Sequence, residues 1–159
     1  MIDTSAVLAA LIVDHEHHGL ARPHLAGARL PVIVVAETFS QLRRTFGQSS
    51  AVAATVLRPW ISDPGRLLGT SPAHVATVLG RSVELDLGGN VHDALVAEVC
   101  RANGVGLVTL DRRQHAVALA LGVASRLLLP GPPLTDGGDR RGARPLREPG
   151  SGGGRRRRG

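Results

Sequence analysis

Four acids, Asp3, Glu37, Asp93 and Asp111, stand where apolar runs meet helical patterns, the places at which a fold can gather distant side chains on one rim. Asp3 and Asp111 end strand-like runs, Met1-Ile2 and Val105–Leu110, whereas Glu37 and Asp93 fall near the starts of helical patterns. In open parallel sheets ligands bind at the carboxyl ends of strands, which makes acids there site candidates. If the four converge, electrostatics narrows the chemistry. Two like charges about 4 Å apart repel by roughly 4 kcal/mol at an effective dielectric near 20, so a cluster must take up protons or divalent cations. Oxygen-only ligands favour Mg²⁺ or Mn²⁺ over zinc, and a few carboxylates that leave water positions open suit phosphate chemistry. Taken singly, each acid has a plainer use. Asp3, followed by Thr4-Ser5, reads as an N-cap; Asp111 with Gln114 makes a capping box; Asp93 suits a helix dipole; Glu37 groups with Gln41 and Arg44 on a surface face.

The elements that must position these acids centre on Asn90–Arg112, NVHDALVAEVCRANGVGLVTLDR. Asn90 reads as an N-cap and Gly104 as a C-cap, so a helix is bounded at both ends. Val91, Leu95, Val96, Val99, Cys100 and Ala102 share one face, with Asp93 at its edge. Ala94, Ala97, Glu98 and Arg101 fall on the other, where Glu98 is expected to reach water and pair with Arg101. The apolar run Val105–Leu110 predicts a buried strand and Leu30–Val35, LPVIVV, a second. Helices are expected over Ala36–Phe46, with Phe39, Leu42 and Phe46 on one face, over Gln48–Trp60, from Pro72 to about Leu79, and over Arg112–Leu121. A last strand is expected at Val123–Leu129, and Gly88-Gly89 reads as a loop. This alternation predicts an α/β chain with a mostly parallel sheet. His15, His17 and His18 lack the i, i+4 spacing that puts two imidazoles on one helical face, so a solvated loop is expected there.

Composition separates a domain from an appendage. At 159 residues the chain is most simply one domain, expected over residues 1–129, and a tail over 130–159 rich in Pro, Gly and Arg, with too little apolar material to fold. Of the net charge of +6, +5 sits in that tail: through Leu129 there are 11 Arg against 10 acids, and beyond it 8 Arg against 3. The tail's four consecutive arginines would attract RNA, DNA or any acidic surface, or serve only as a solvated end. With no Tyr, two Phe and one Trp, there is no aromatic platform on which bases could stack. One cysteine excludes an internal disulfide and fits a reducing cytoplasm. No apolar run approaches the ~20 residues of a membrane span, and a soluble protein is expected.

The four acids in their sequence contexts carry a resemblance. Ile2-Asp3-Thr4-Ser5, Val35-Ala36-Glu37, His92-Asp93-Ala94 and Val108-Thr109-Leu110-Asp111 together resemble the PIN-domain family, and within it the VapC-type ribonuclease toxins of bacterial toxin–antitoxin pairs. The resemblance covers Met1 to about Leu129. It implies a three-layer α/β/α fold with a mostly parallel central sheet, a Mg²⁺- or Mn²⁺-dependent endoribonuclease, a homodimer and a cognate antitoxin protein. It also implies that Asp3, Glu37, Asp93 and Asp111 form the metal site, with Thr109 as a polar support. For RNA grip, Arg112 and Arg113 directly after Asp111 are best placed, or they are simply a solvated helix start. Two other classes compete: a PIN-like module that binds RNA or protein without cutting, and an acidic-pocket receiver domain. The latter requires a lysine, and the chain has none.

Overall fold

The computed structural model describes residues 1–85 and 90–129; the expected Gly88-Gly89 loop and the tail lie outside the described residues. Strand β3 (Leu107–Thr109) grows from the apolar run after Gly104, whose φ of +62° ends the preceding helix as a C-cap glycine does. β3 pairs in parallel with β4 (Ser125–Leu127), which sets Thr109 opposite Leu127. On its other side Ile2 makes a single parallel bridge to Val108. Three hydrogen bonds fix that short segment. The Met1 ammonium donates to the Gly106 carbonyl (2.7 Å), the Val108 amide to Met1 (2.8 Å) and the Asp3 amide to Val108 (3.0 Å). Asp3 thus leaves the sheet beside Thr109. A second parallel pair, β1 (Leu30–Pro31) with β2 (Leu67–Leu68), stands apart, so the described strands form two small sheets. The fold is α/β with parallel pairing, as the alternation predicts.

The helices are α1 (Thr4–Leu11), α2 (His18–Ala21), α3 (Val32–Arg44), α4 (Ser50–Ile61), α5 (Pro72–Leu85), α6 (Val91–Ala102) and α7 (Arg112–Ala120). α1 is almost wholly internal, with Ala6, Val7, Ala9 and Ala10 in one core with Leu30, Val34, Leu107 and Leu121. Phe39, Leu42 and Phe46 pack on Leu8 and Ala53, the face the helical pattern predicts. His18 Nδ1 donates to the Ala9 carbonyl at 3.0 Å, and His15 Nδ1 accepts from the His17 amide, so these imidazoles serve local turns. No described helix is long and apolar enough to cross a membrane.

Two expectations fail. Leu30–Val35 is not a strand: pairing stops at Pro31 and α3 begins at Val32. Val32 is 48% exposed while Val34 is fully buried, a pattern that a strand buried on both faces would not show. The β-branched residues cost α3 a few tenths of a kcal/mol each, less than burying one such side chain returns. Glu98 does not reach water: it is 1% exposed, and Ala94 and Ala97 beside it are fully buried. α6 packs between α5 and α7, so it has no broad wet face for the wheel to find. The expected pairing with Arg101 does form, through two 2.7 Å bonds from Nε and Nη2, and it holds the Glu98 carboxyl below the usual range.

Candidate active site

Each acid is placed by local chemistry first. Asp3 caps α1, its Oδ1 accepting from the Ala6 amide at 3.0 Å, and Asp111 caps α7, its Oδ1 accepting from the Arg113 (2.7 Å) and Gln114 (3.2 Å) amides. Asp93 sits in the first turn of α6. Glu37 lies in the second turn of α3, because that helix starts earlier than the sequence suggests. The capping interpretation of Asp3 and Asp111 therefore holds.

All four acids line one cavity of about 270 Å³, with Thr4, Ser5, Arg113 and Gln114 among its other walls. Hydrogen bonds join most of them in a single chain. Thr109 Oγ1 donates to Asp3 Oδ2 at 2.6 Å and accepts from the Asp111 amide at 2.8 Å. Arg113, held to Asp111 by its amide, donates from Nε to Asp93 Oδ2 at 2.9 Å, and Gln114 Nε2 donates to the Asp93 carbonyl at 2.9 Å. Thr4 Oγ1 reaches Glu37 Oε2 at 2.8 Å. Ser5 Oγ donates to Asp3 Oδ1 (2.8 Å) while accepting from the Leu110 amide (3.0 Å). Thr4 and Ser5 were legible in sequence only as cap neighbours. Their signal is two hydroxyls directly behind the first acid.

The cations divide. Arg113 lines the cavity but is committed to Asp93, with its side chain 64% exposed. Arg112 is exposed and does not line this cavity.

Electrostatically the site is short of positive charge. Burial pushes the Asp3 carboxyl up to about 6 against the pull of Thr109, Ala6 and Ser5, and the Asp111 charge adds to the rise. Burial also raises Asp93, with Asp111 and Glu37 adding to it and Arg113 opposing. A raised carboxyl favours the neutral form in the folded chain. Its stabilisation is complete below the unfolded value of 3.8 and is lost as pH climbs through about 6. At about 1.4 kcal/mol per tenfold change in proton affinity, that is roughly 3 kcal/mol. In chelator, the stability of the wild type relative to Asp3→Asn should fall by about this amount between pH 4 and pH 7. Denaturant titrations at both pH values check it; a pH-independent difference would refute a strained Asp3 charge.

The donor set fits a hard divalent cation. Oδ1 of Asp93, Oδ2 of Asp111 and Oε1 of Glu37 accept no hydrogen bond among the described residues, and all belong to side chains on the same cavity. No three His, Cys, Asp or Glu side chains among the described residues are close enough to form a ready-made ligand shell. Mg²⁺ retains several waters and takes few direct carboxylates, so a cavity lined by acids is compatible with it where a closed zinc-type cage is not.

Comparison with known proteins places this geometry. The PIN-domain family model matches residues 1–119. A search of curated proteins returned no match. Among solved structures, the chain superposes on the Mycobacterium tuberculosis toxin VapC20, described as cleaving the sarcin–ricin loop, with a TM-score of 0.59 and 24% identity over 72% of this chain and 92% of that one. FitAB bound to a DNA fragment gives a TM-score of 0.57 at 16% identity, covering 80% of this chain and 93% of that one. PAE2754 from Pyrobaculum aerophilum gives 0.50 at 26% identity, covering 78% and 81%. With three quarters of its length matched by the family model, and its acids on one cavity of the shared fold, the chain belongs to the PIN-domain family.

Proposed function

We propose that this chain is a divalent-metal-dependent endoribonuclease, the toxin of a VapBC-type toxin–antitoxin pair. The observation that carries the reading is the convergence of Asp3, Glu37, Asp93 and Asp111 on one cavity within a PIN fold. The likeness to VapC20 supports the toxin assignment by fold. A cognate antitoxin and a second copy of the chain are the proposed partners, and the cytoplasm the proposed location.

The reaction is hydrolysis of an RNA phosphodiester: a water oxygen bonds to phosphorus in line with the leaving ribose oxygen, whose bond to phosphorus breaks. Asp93, Asp111, Glu37 and Asp3 would hold Mg²⁺ or Mn²⁺, in part through water, and the ion would supply a water of lowered pKa and offset charge on the leaving oxygen. The chain supplies rigidity. Thr109 and Ser5 hold the Asp3 carboxylate from both sides, so it cannot rotate away. Arg113 fixes Asp93 against Asp111 while much of its side chain stays exposed at the cavity wall. Gln114 clamps the first turn of α6 to α7, which fixes the distance between the two acids.

The test is cleavage of structured RNA by antitoxin-free chain. Cutting is expected with Mg²⁺ or Mn²⁺ and should stop when chelator is added. Intact RNA in the presence of folded, metal-loaded protein would end the catalytic reading.

A further inference from the structure

A second trough, of about 470 Å³, opens directly off the acidic cavity. Ile33, Ala36, Ser40, Gln41 and Arg44 line it from α3, and His92 from the start of α6. Positions 33, 36, 40 and 44 recur every three or four residues, so the trough follows one face of α3 for roughly 16 Å at 1.5 Å per residue. Glu37, Gln41 and His92 line both spaces, so the two are continuous.

Polarity reverses along this path. The acidic cavity offers carboxylate acceptors; beyond Glu37 the trough offers donors. Gln41 Oε1 accepts from Thr45 Oγ1 at 2.9 Å, which leaves the amide NH₂ without a partner among the described residues. The Arg44 guanidinium and both ring nitrogens of His92 make no hydrogen bond or ion pair among the described residues, and both residues are exposed. Ile33 and Ala36 add an apolar floor. An acid cluster repels the polymer it is to cut, so a phosphodiester chain needs its grip outside the cluster, and Arg44 is the cation that this trough supplies.

We propose that the trough seats the nucleotide adjoining the scissile phosphate, Arg44 holding the flanking phosphate while Gln41 and His92 meet the base edge over Ile33 and Ala36. This rests on the ribonuclease reading for the position of the cut, and makes Gln41 a specificity determinant and Arg44 a positioning residue. Phosphate contacts set register and base contacts set sequence, so the two substitutions should differ in kind.

Two measurements test it with a 5′-labelled, mixed-sequence single-stranded RNA decamer as probe. In chelator, binding by anisotropy should weaken about tenfold for Arg44→Ala, with the salt slope reduced by about one, and partly recover in Arg44→Lys. With Mg²⁺, Arg44→Ala should raise KM with kcat within about twofold, and Gln41→Ala should relax the base preference on one side of the cut, on the order of tenfold. RNA bound and cut by both variants as by wild type, with the same cut-site profile, would overturn the proposal. Binding that weakens in Arg44→Ala although no variant cuts would uphold the subsite and remove the ribonuclease reading instead.

Discussion

Asp93→Asn and Asp111→Asn should each slow metal-dependent RNA cleavage at least about a hundredfold, because even groups one shell further from a metal are worth about 10–100-fold. Neither change should unfold the chain. Asparagine at 111 keeps an Oδ1 acceptor for the Arg113 and Gln114 amides, so the α7 cap survives. At 93 it keeps the acceptor for Arg113 Nε. Each substitution also removes one negative charge from a set in which burial and neighbouring acids already raise Asp3 and Asp93. Metal-free thermal midpoints at pH 7 should therefore stay level or rise while activity disappears. Gel assays of RNA cleavage alongside calorimetry separate the two effects. A variant that cuts within about twofold of wild type would remove its acid from the site, and a lost fold would make that position structural before a ligand.

Thr109→Val should be the costliest single change near the site, at about 3–5 kcal/mol. The residue is fully buried and its hydroxyl is used twice, as donor to Asp3 and acceptor from the Asp111 amide. Valine preserves shape and removes both bonds. A bond to a charged group contributes roughly 1.5–3 kcal/mol, and a buried amide left without an acceptor costs about 1–3 kcal/mol. Without its donor, Asp3 should be harder to ionise, so the loss should be larger at pH 7 than at pH 4, and Mg²⁺ should bind more weakly. Thr109→Ser, which keeps the hydroxyl, should recover most of the stability and the metal affinity. Equal denaturant midpoints for Val, Ser and wild type would show that water replaces the threonine.

Much of the site was legible because its first layer is local. A cap bond joins residues two or three apart, as Asp111 does with Arg113 and Gln114, and Asp3 with Ala6, so residue type and spacing predict it. Glu37 was undecidable from a helical wheel. Its placement depends on where α3 starts, and Val32–Val35 join that helix only because Val34 finds the core. Glu98 misled for a related reason: periodicity presumes one wet face, and α6 is covered from both sides.

The sequence by itself determined the chemical inventory, the order of the acids along the chain, the caps that seat Asp3 and Asp111, and the concentration of positive charge beyond Leu129. Only the tertiary structure decided that the acids share a cavity, that Thr109 bridges two of them, that Arg113 is held by Asp93, and that a donor-lined trough adjoins them. The bonds that do this join residues 33 apart for Thr4 and Glu37 and 106 apart for Asp3 and Thr109. The first forms only when α1 packs on α3, and the second only when Ile2 and β3 pair in parallel and bring their ends to one edge, neither of which any local pattern of residues encodes.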